Sequence, residues 1–460
     1  MEKQMKNKAR LTDGPIGPIL FRTTVPMIFG ILAMMAFNLV DTFFIGHLGT
    51  AELAAISFTL PVIMIVGSLA MGLGVGASAV ISRAIGQGDH NRVLRLTTDS
   101  LILAMATVIV FISAGILFME PIFRLIGVTS QIMPYVKEYM NIWFPGMIFL
   151  VIPMVGNNAI RATGDTKTPS LIMIFAVSIN AILDPILIFG PGPFPRLGLA
   201  GAAIATVTAR ALTMVLSLHV LYHREHMLSL RFPKVRTLIS SWKQILFIGM
   251  PAAATNMITP LAMGIITRII AQYGASAVAG AGVATRVEAF GHTLIAALYT
   301  ALSPFVGQNW GAGKFDRVQK AVKMSQRFGL FWGTGLLAVL MLFGKTIAVL
   351  FNNDPEVVRV ATVYFQILPF GYPLGSVLMI STGVLNVLHR PYHSTFLIVL
   401  RTLLLFVPLA YIGSRMIGIQ GIFIAGATAH IIAGTAAYFW LKKIMKIESH
   451  IQKKETSAAF

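Results

Sequence analysis

Pro26-Met27-Ile28-Phe29-Gly30 opens an apolar run that continues Ile-Leu-Ala-Met-Met-Ala-Phe-Asn-Leu-Val to Asp41 and closes Thr-Phe-Phe-Ile-Gly-His-Leu-Gly49. As a helix rising about 1.5 Å per residue, it is long enough to cross the roughly 30 Å hydrocarbon core of a bilayer. Pro26 follows Arg22 by one turn, where it removes a ladder donor and favours a kink. A carboxylate, Asp41, lies well inside the run. A charge at that depth costs about 2.5–3.5 kcal/mol even on insertion scales, so it is expected to face a wet cavity and to have a partner.

The whole composition supports a membrane reading. The 460 residues are 56% hydrophobic and only 12% charged, with mean hydropathy +0.78; a soluble chain must cover itself with more polar side chains. At about 20 residues per span there is room for roughly twelve helices. The apolar runs are continuous rather than alternating, which excludes a β-barrel. The predicted class is an all-α polytopic membrane protein with twelve transmembrane helices in two pseudo-symmetric six-helix bundles. The net charge of +19 sits in short connections, a pattern of topology rather than of nucleic-acid binding. With no cysteine, disulfides and thiolate metal sites are excluded. No cleavable signal peptide is expected, because the basic start Glu2 to Arg10 leads directly into a span.

Spans are predicted near 20–46, 53–82, 96–118, 134–160, 168–190, 197–222, 243–272, 276–306, 319–344, 357–385, 394–416 and 419–441. The long connection with Arg224, Arg231, Lys234 and Arg236 divides the chain into a lobe at 1–222, a cytoplasmic linker at 223–242 and a second lobe with a basic tail at 243–460. Of the 36 Lys and Arg, about 25 fall on the side holding both termini and the linker and about 6 on the other, which places both ends in the cytoplasm.

The halves repeat. Val25-Pro26 matches Met250-Pro251, His47-Leu48-Gly49 matches Gln272-Tyr273-Gly274, and Gly86-Gln87 with Arg92 matches Gly307-Gln308 with Arg317. Phe144-Pro145 matches Leu368-Pro369, Asp184-Pro185 matches Val407-Pro408, and Leu199-Ala200-Gly201 matches Ile419-Gln420-Gly421. Even-numbered repeats share one orientation, so their pseudo-two-fold runs along the membrane normal, as in a transporter whose bundles rock around a midplane cavity. Duplication that merely enlarges a bundle is the plainer alternative. Gly67, Gly72, Gly74 and Gly76 mimic a phosphate loop but lie in an apolar helix, where small residues serve close packing.

The fifth span brings a second acid. Asn180 and Asp184 are four apart on one face, and Pro185 loosens the turn that presents Asp184. Thr206 in the sixth span and Tyr139 in the fourth are further polar candidates. Two carboxylates in a low-dielectric pocket stay ionised only with compensation, so one takes a proton or a cation sits between them. Hard oxygens suit H⁺ or Na⁺. The structural alternatives are an ion pair of Asp41 with Arg22 or Arg210, and interhelical hydrogen bonds for Asn180, Thr206 and Tyr139.

The second half is poorer in acids. Arg268, Gln272, Arg286 and Glu288 surround spans seven and eight, and Arg401 lies in span eleven; Arg286 could pair with Glu288 near a helix end, a local electrostatic fix more often than a site. Methionines such as Met173, Met257 and Met263 suit a flexible cavity lining for varied apolar cations, or lipid-facing filler.

These residues carry a resemblance. Val40-Asp41-Thr42-Phe43-Phe44-Ile45-Gly46-His47-Leu48-Gly49, Arg161-Ala162-Thr163-Gly164-Asp165-Thr166-Lys167-Thr168-Pro169, Asn180, Asp184-Pro185, Gly201-Ala202-Ala203-Ile204-Ala205-Thr206 and Gly307-Gln308-Asn309 resemble the multidrug and toxic compound extrusion (MATE) family over nearly the whole chain, and most nearly its DinF-type branch. The resemblance implies an inner-membrane antiporter exporting amphipathic, often cationic, compounds by alternating access, driven by H⁺ or Na⁺ and needing no other cofactor. Asp41, Asn180, Asp184 and Thr206 would form the ion site, with Na⁺ a candidate occupant. Tyr139, Met173, Met257 and Met263 would line the cargo path, and Pro26 and Pro185 would be hinges. A monomer with small-molecule cargo, a lipid environment and no nucleic-acid partner is expected. The family's other main branch has acids in spans seven and ten; Thr259 and an acid-free span ten here argue against a second-lobe ion site. A lipid-linked saccharide flippase of the same superfamily is the alternative. A membrane-embedded enzyme is disfavoured, for no nucleophile or metal-spaced set shares a face.

Overall fold

The computed structural model describes residues 9–229 and 234–458, apart from the side chains of Asn38 and of 448–458. Arg231 of the linker and most of the basic start lie outside the described residues. The first half of the chain forms α1 (Ile16–Gly46), α2 (Thr50–Gln87), α3 (His90–Leu117), α4 (Met119–Ile126), α5 (Met133–Gly146), α6 (Ile148–Ala162), α7 (Lys167–Phe189) and α8 (Gly198–His219). The second forms α9 (Val235–Ala271), α10 (Ala275–Gly311), α11 (Phe315–Phe351), α12 (Pro355–Ile367), α13 (Tyr372–Val387), α14 (Pro391–Val399), α15 (Val407–Ile417) and α16 (Ile419–Ala458). Among the described residues eleven crossings are single helices or near-continuous ones, and α5 with α6, bent by 41°, makes the twelfth.

The interruptions follow the repeat. The α5/α6 bend falls beside Pro145, and a 3₁₀ turn at Leu368–Gly371 joins α12 to α13 at the matching Pro369. Each proline removes one ladder donor at the same point of its half. Several helices, among them α2, α3, α10 and α11, overrun the predicted spans at polar ends, and the junction of α2 with α3 is capped on both sides. Asp89 accepts the Arg92 amide at 2.9 Å to start α3, and Gly88, at φ +76°, ends α2. The short α4 escaped prediction. It buries only Met119 and Phe123 and leaves Leu125 90% exposed, too brief a pattern for a span.

The chain packs as two compact units. One holds Val25–Ala253 and the described residues before Thr12; the other holds Thr12–Thr24 and the residues from Ala254 onward. The first half of α9 joins the first unit because α2 is notched to receive it. A Cβ on Gly72 would stand 2.4 Å from the Gly249 carbonyl oxygen, and one on Gly76 2.4 Å from that of Ile245. Gly74 likewise makes room for Asn158, whereas Gly67 has no neighbour within 4 Å, so the packing role expected of all four glycines holds for three. At the end of α2, Arg92 donates to Gln87 and to Gln244 of α9, each at 3.1 Å. The second unit repeats the device: Arg317 donates to Asn309 at 3.0 Å and to the Gly14 carbonyl at 2.8 Å, ahead of α1.

The segment Arg161–Pro169 makes the turn from α6 to α7. Gly164 takes φ +93°, and Asp165 accepts the Thr168 amide at 3.0 Å and hydroxyl at 2.6 Å. Arg224 pairs with Asp165 and donates to the Thr168 hydroxyl at 2.8 Å. Burial alone would raise the Asp165 carboxyl, but the Thr168 bonds and the Arg224 charge outweigh it and hold the group below its usual value of 3.8. A depressed carboxylate stabilises the fold above its unfolded pKa and loses that contribution as pH falls through the folded value. Arg224→Ala is expected to cost about 1 kcal/mol at neutral pH, reduced by the half-exposed guanidinium. Unfolding midpoints in detergent across acid pH check this: the difference between variant and wild type should shrink below about pH 4.

Candidate ion site in the first unit

The level of Asp41 is set by how α1 lies on α7. Ser170 Oγ reaches Met27 Sδ at 3.6 Å, a Cβ on Gly30 would stand 3.0 Å from the same hydroxyl, and the Phe44 ring meets Phe189 at 6.3 Å. Residues 27 to 44 thus run beside 170 to 189 in the same direction. That register brings Asp41 level with Asp184.

The other members arrive from α8 and α5. The Leu197 amide donates to the Leu187 carbonyl at 3.0 Å, and Gly201 lies so near that a Cβ there would be 2.3 Å from that oxygen. From this contact α8 runs back along α7, carrying Thr206 toward the level of Asp184. On α5, Glu138 accepts the Ala200 amide at 3.1 Å, and Gly146 makes room for Val207, so Tyr139 stands against the first turn of α8.

Asn180 Nδ2 donates to Asp184 Oδ1 at 3.1 Å, and both residues are fully buried. Asp184 is in electrostatic range of Asp41, and the buried Tyr139 of Asp41, Asp184 and Arg210. Four oxygens, Asp41 Oδ1, Asn180 Oδ1, Asp184 Oδ2 and Thr206 Oγ1, are buried with no hydrogen-bond partner. Buried polar atoms are nearly always satisfied, so such a group calls for an ion, a proton or water. With both acids ionised and Arg210 protonated, the group carries one net negative charge, which one H⁺ or one Na⁺ neutralises.

Arg210, which sequence reasoning treated only as a pairing alternative, belongs to the site. It lies one turn beyond Thr206, in electrostatic range of Asp41, with its guanidinium 5.5 Å from the Phe37 ring centre and Nε buried without a partner. The spacing Thr206 to Arg210 was the signal available. Arg22 is exposed and about five turns from Asp41 on the same helix. Pro26 and Pro185 lie inside unbroken helices, leaving the carbonyls of Arg22 and Ala181 without ladder donors. Met173 is half-buried on α7, whereas Met257 and Met263, on α9 in the second unit, are not members of this group.

One expectation fails in the second unit. Arg286 is exposed and does not serve Glu288, which accepts instead from the Tyr364 hydroxyl. Residues two apart on a helix face different ways, and Glu288 lies well inside α10 rather than near its end.

The family model described as MatE matches residues 26–186 and again 251–412. The chain belongs to the MATE family. The two matches begin at Pro26 and Pro251, the pair aligned in the internal repeat. An FAD transporter of Shewanella oneidensis is 39% identical over 441 residues, covering 96% of this chain and 97% of that protein. A probable multidrug resistance protein of Bacillus subtilis, YoeA, is 28% identical over 76% of each chain. The solved MATE transporter VcmN of Vibrio cholerae, in its bent form, superposes with TM-score 0.88 at 28% identity, covering 97% of this chain and 99% of that one. This MATE chain is thus a multi-pass, all-helical membrane transporter of two pseudo-symmetric bundles, and not an enzyme.

Proposed function

We propose that this MATE transporter is a secondary antiporter of the DinF type that exports amphipathic organic compounds in exchange for inward H⁺ or Na⁺ bound between α1 and α7. The observation that carries this reading is the set of four orphaned oxygens around Asp41 and Asp184. In the outward-open state a cation enters, neutralises the acids and satisfies their free oxygens. Removing the repulsion between Asp41 and Asp184 lets α1 settle against α7, bending where Pro26 has removed a ladder bond, and cargo is released. Return to the inward state carries the ion across. Reciprocal linkage requires that cargo binding then weakens ion binding by the same factor. In this reading the chain works as an inner-membrane monomer, and the distribution of Lys and Arg supports cytoplasmic termini.

Two cargo classes stand behind this mechanism. Lipophilic cations fit the acidic site, and Met173, on the same helix as Asp184, offers them a compliant thioether. A flavin dinucleotide is the second reading, favoured by the 39% identity to the FAD transporter over almost the full chain. Uptake of ethidium and of FAD into inside-out vesicles, with H⁺ and Na⁺ gradients imposed one at a time, tests both. Accumulation of one cargo under one gradient is expected. Accumulation that ignores both gradients would overturn the antiport, and flipping of a lipid-linked saccharide without either cargo would favour the flippase.

A further inference from the structure

One arginine of the second unit stands inside a span without a partner. Arg286 lies about three turns, or about 16 Å, beyond the start of α10 at Ala275, near the middle of a hydrocarbon core of roughly 30 Å. It is exposed, and among the described residues no hydrogen bond or ion pair reaches its guanidinium. Two other arginines inside spans are held by the protein. Arg210 lies in range of Asp41 and over the Phe37 ring, and Arg401 donates to Thr402 Oγ1 at 3.3 and 3.2 Å. Glu288, the acid nearest in sequence, is already engaged: it accepts from the Tyr364 hydroxyl, with Oε1 3.4 Å from His292 Nε2. An arginine at this depth is costly in lipid, so it is expected to face water and to meet a counter-charge. No group of its own unit supplies that charge.

The helix has two faces at this level. Ala277, Ala281 and Ala284 are buried in the core of the second unit. Gly282, Arg286 and Phe290, spaced four apart, share the opposite side. A Cβ on Gly282 would meet nothing within 4 Å, and Phe290 is 51% exposed. Open space therefore lies one turn before the guanidinium and a half-exposed aromatic ring one turn after it. The repeat holds no second copy of this face. Aligning Gly274 with Gly49 sets Arg286 against Pro61, so the charge is an addition to the duplicated scaffold.

The chemistry of the pair selects a ligand. A guanidinium presents parallel donors that match the oxygens of a phosphate, and an aromatic ring one helical turn away gives a flat ring system a face to pack on. A cation would be repelled by the first and gain only from the second.

We propose that Arg286 and Phe290 form an anion subsite for cargo, in which Arg286 holds a phosphate or pyrophosphate group and Phe290 packs on the aromatic system attached to it. The inference rests on the exporter reading above and narrows its cargo to aromatic phosphates, setting lipophilic cations second. Cargo and coupling ion then use separate groups: the anion of the cargo at Arg286, the cation at Asp41 and Asp184.

The test is equilibrium binding to purified protein in a phosphate-free detergent, using FAD, riboflavin, which has the same ring system without phosphate, and ethidium. Arg286→Gln is expected to weaken FAD about tenfold or more, to leave riboflavin unchanged and to leave ethidium unchanged or tighter. Arg286→Lys keeps the charge without the fork and should fall between. Phe290→Ala should weaken both flavins. Unfolding midpoints near wild type are expected for the Arg286 variants, since no partner is lost. Absence of FAD binding in wild type, equal FAD affinity in wild type and Arg286→Gln, or riboflavin weakened as much as FAD would each overturn the subsite. Phosphatidylglycerol binding that weakens in Arg286→Gln while FAD binding holds would assign the guanidinium to a lipid phosphate and overturn the cargo role. No ion gradient enters any arm, so failure of the antiport mechanism leaves these outcomes unchanged.

Discussion

Asp184→Asn is expected to abolish ion-driven accumulation of cargo while leaving the protein folded. Asparagine keeps the size of the side chain and an oxygen to accept from Asn180 Nδ2, which now holds Asp184 Oδ1 at 3.1 Å. What it loses is the charge. Without it, Asp41 and Arg210 balance and no net charge remains to draw in a cation. In a one-for-one exchange, a tenfold gradient of the coupling ion supplies about 1.4 kcal/mol, which sustains a cargo ratio of about tenfold. In vesicles with that gradient imposed, the ratio for the variant should fall to unity, with the unfolding midpoint in detergent near that of wild type. Accumulation at the wild-type level would show that Asp184 is not a coupling group.

Gly201→Ala is expected to be the most damaging single methyl in the first unit. The added carbon would lie 2.3 Å from the Leu187 carbonyl oxygen and 2.6 Å from its carbon. Both are backbone atoms of α7, so no flexible side chain gives way and α8 must shift. Overpacking of this kind costs about 1–3 kcal/mol or more, and the shift moves Thr206 and Arg210 away from Asp184. Lower thermal stability and lower export should therefore appear together. Gly421→Ala should behave similarly, since its methyl would fall 2.1 Å from the Gly413 carbonyl oxygen at the matching point of the repeat. Gly67→Ala is the control: nothing lies within 4 Å, and stability should hold or rise by up to about 1 kcal/mol through helix propensity.

Much of this architecture was legible in the sequence because membrane helices write long apolar runs and because the chain says everything twice. The repeat paired Pro145 with Pro369, although spans 134–160 and 357–385 were expected to run unbroken through them, and Asp41 and Asp184 stood out as acids in apolar surroundings. The level at which those acids meet was not legible. It depends on Ser170 beneath Gly30 and on Phe44 against Phe189, contacts between side chains far apart in the chain. Arg210 was undervalued because a basic residue in a span reads equally as a pairing device. Glu288 was misassigned to Arg286 by nearness in sequence, whereas helix geometry turns it toward His292 and toward a tyrosine two helices later. The boundary between the compact units falls beyond the linker, between Ala253 and Ala254 within α9, since the notch of small residues in α2 draws the first half of α9 into the amino-terminal unit.

The central claim is that a cation held by Asp41 and Asp184 and the cargo bind at each other's expense. Equilibrium binding of ethidium and of FAD to purified protein, titrated against rising H⁺ and separately against rising Na⁺, measures this directly. In wild type the affinity for the bound cargo should fall as one of the two ions rises, and in the Asp41→Asn/Asp184→Asn variant the fall attributable to these acids should vanish. An identical ion dependence in the two proteins would contradict the account.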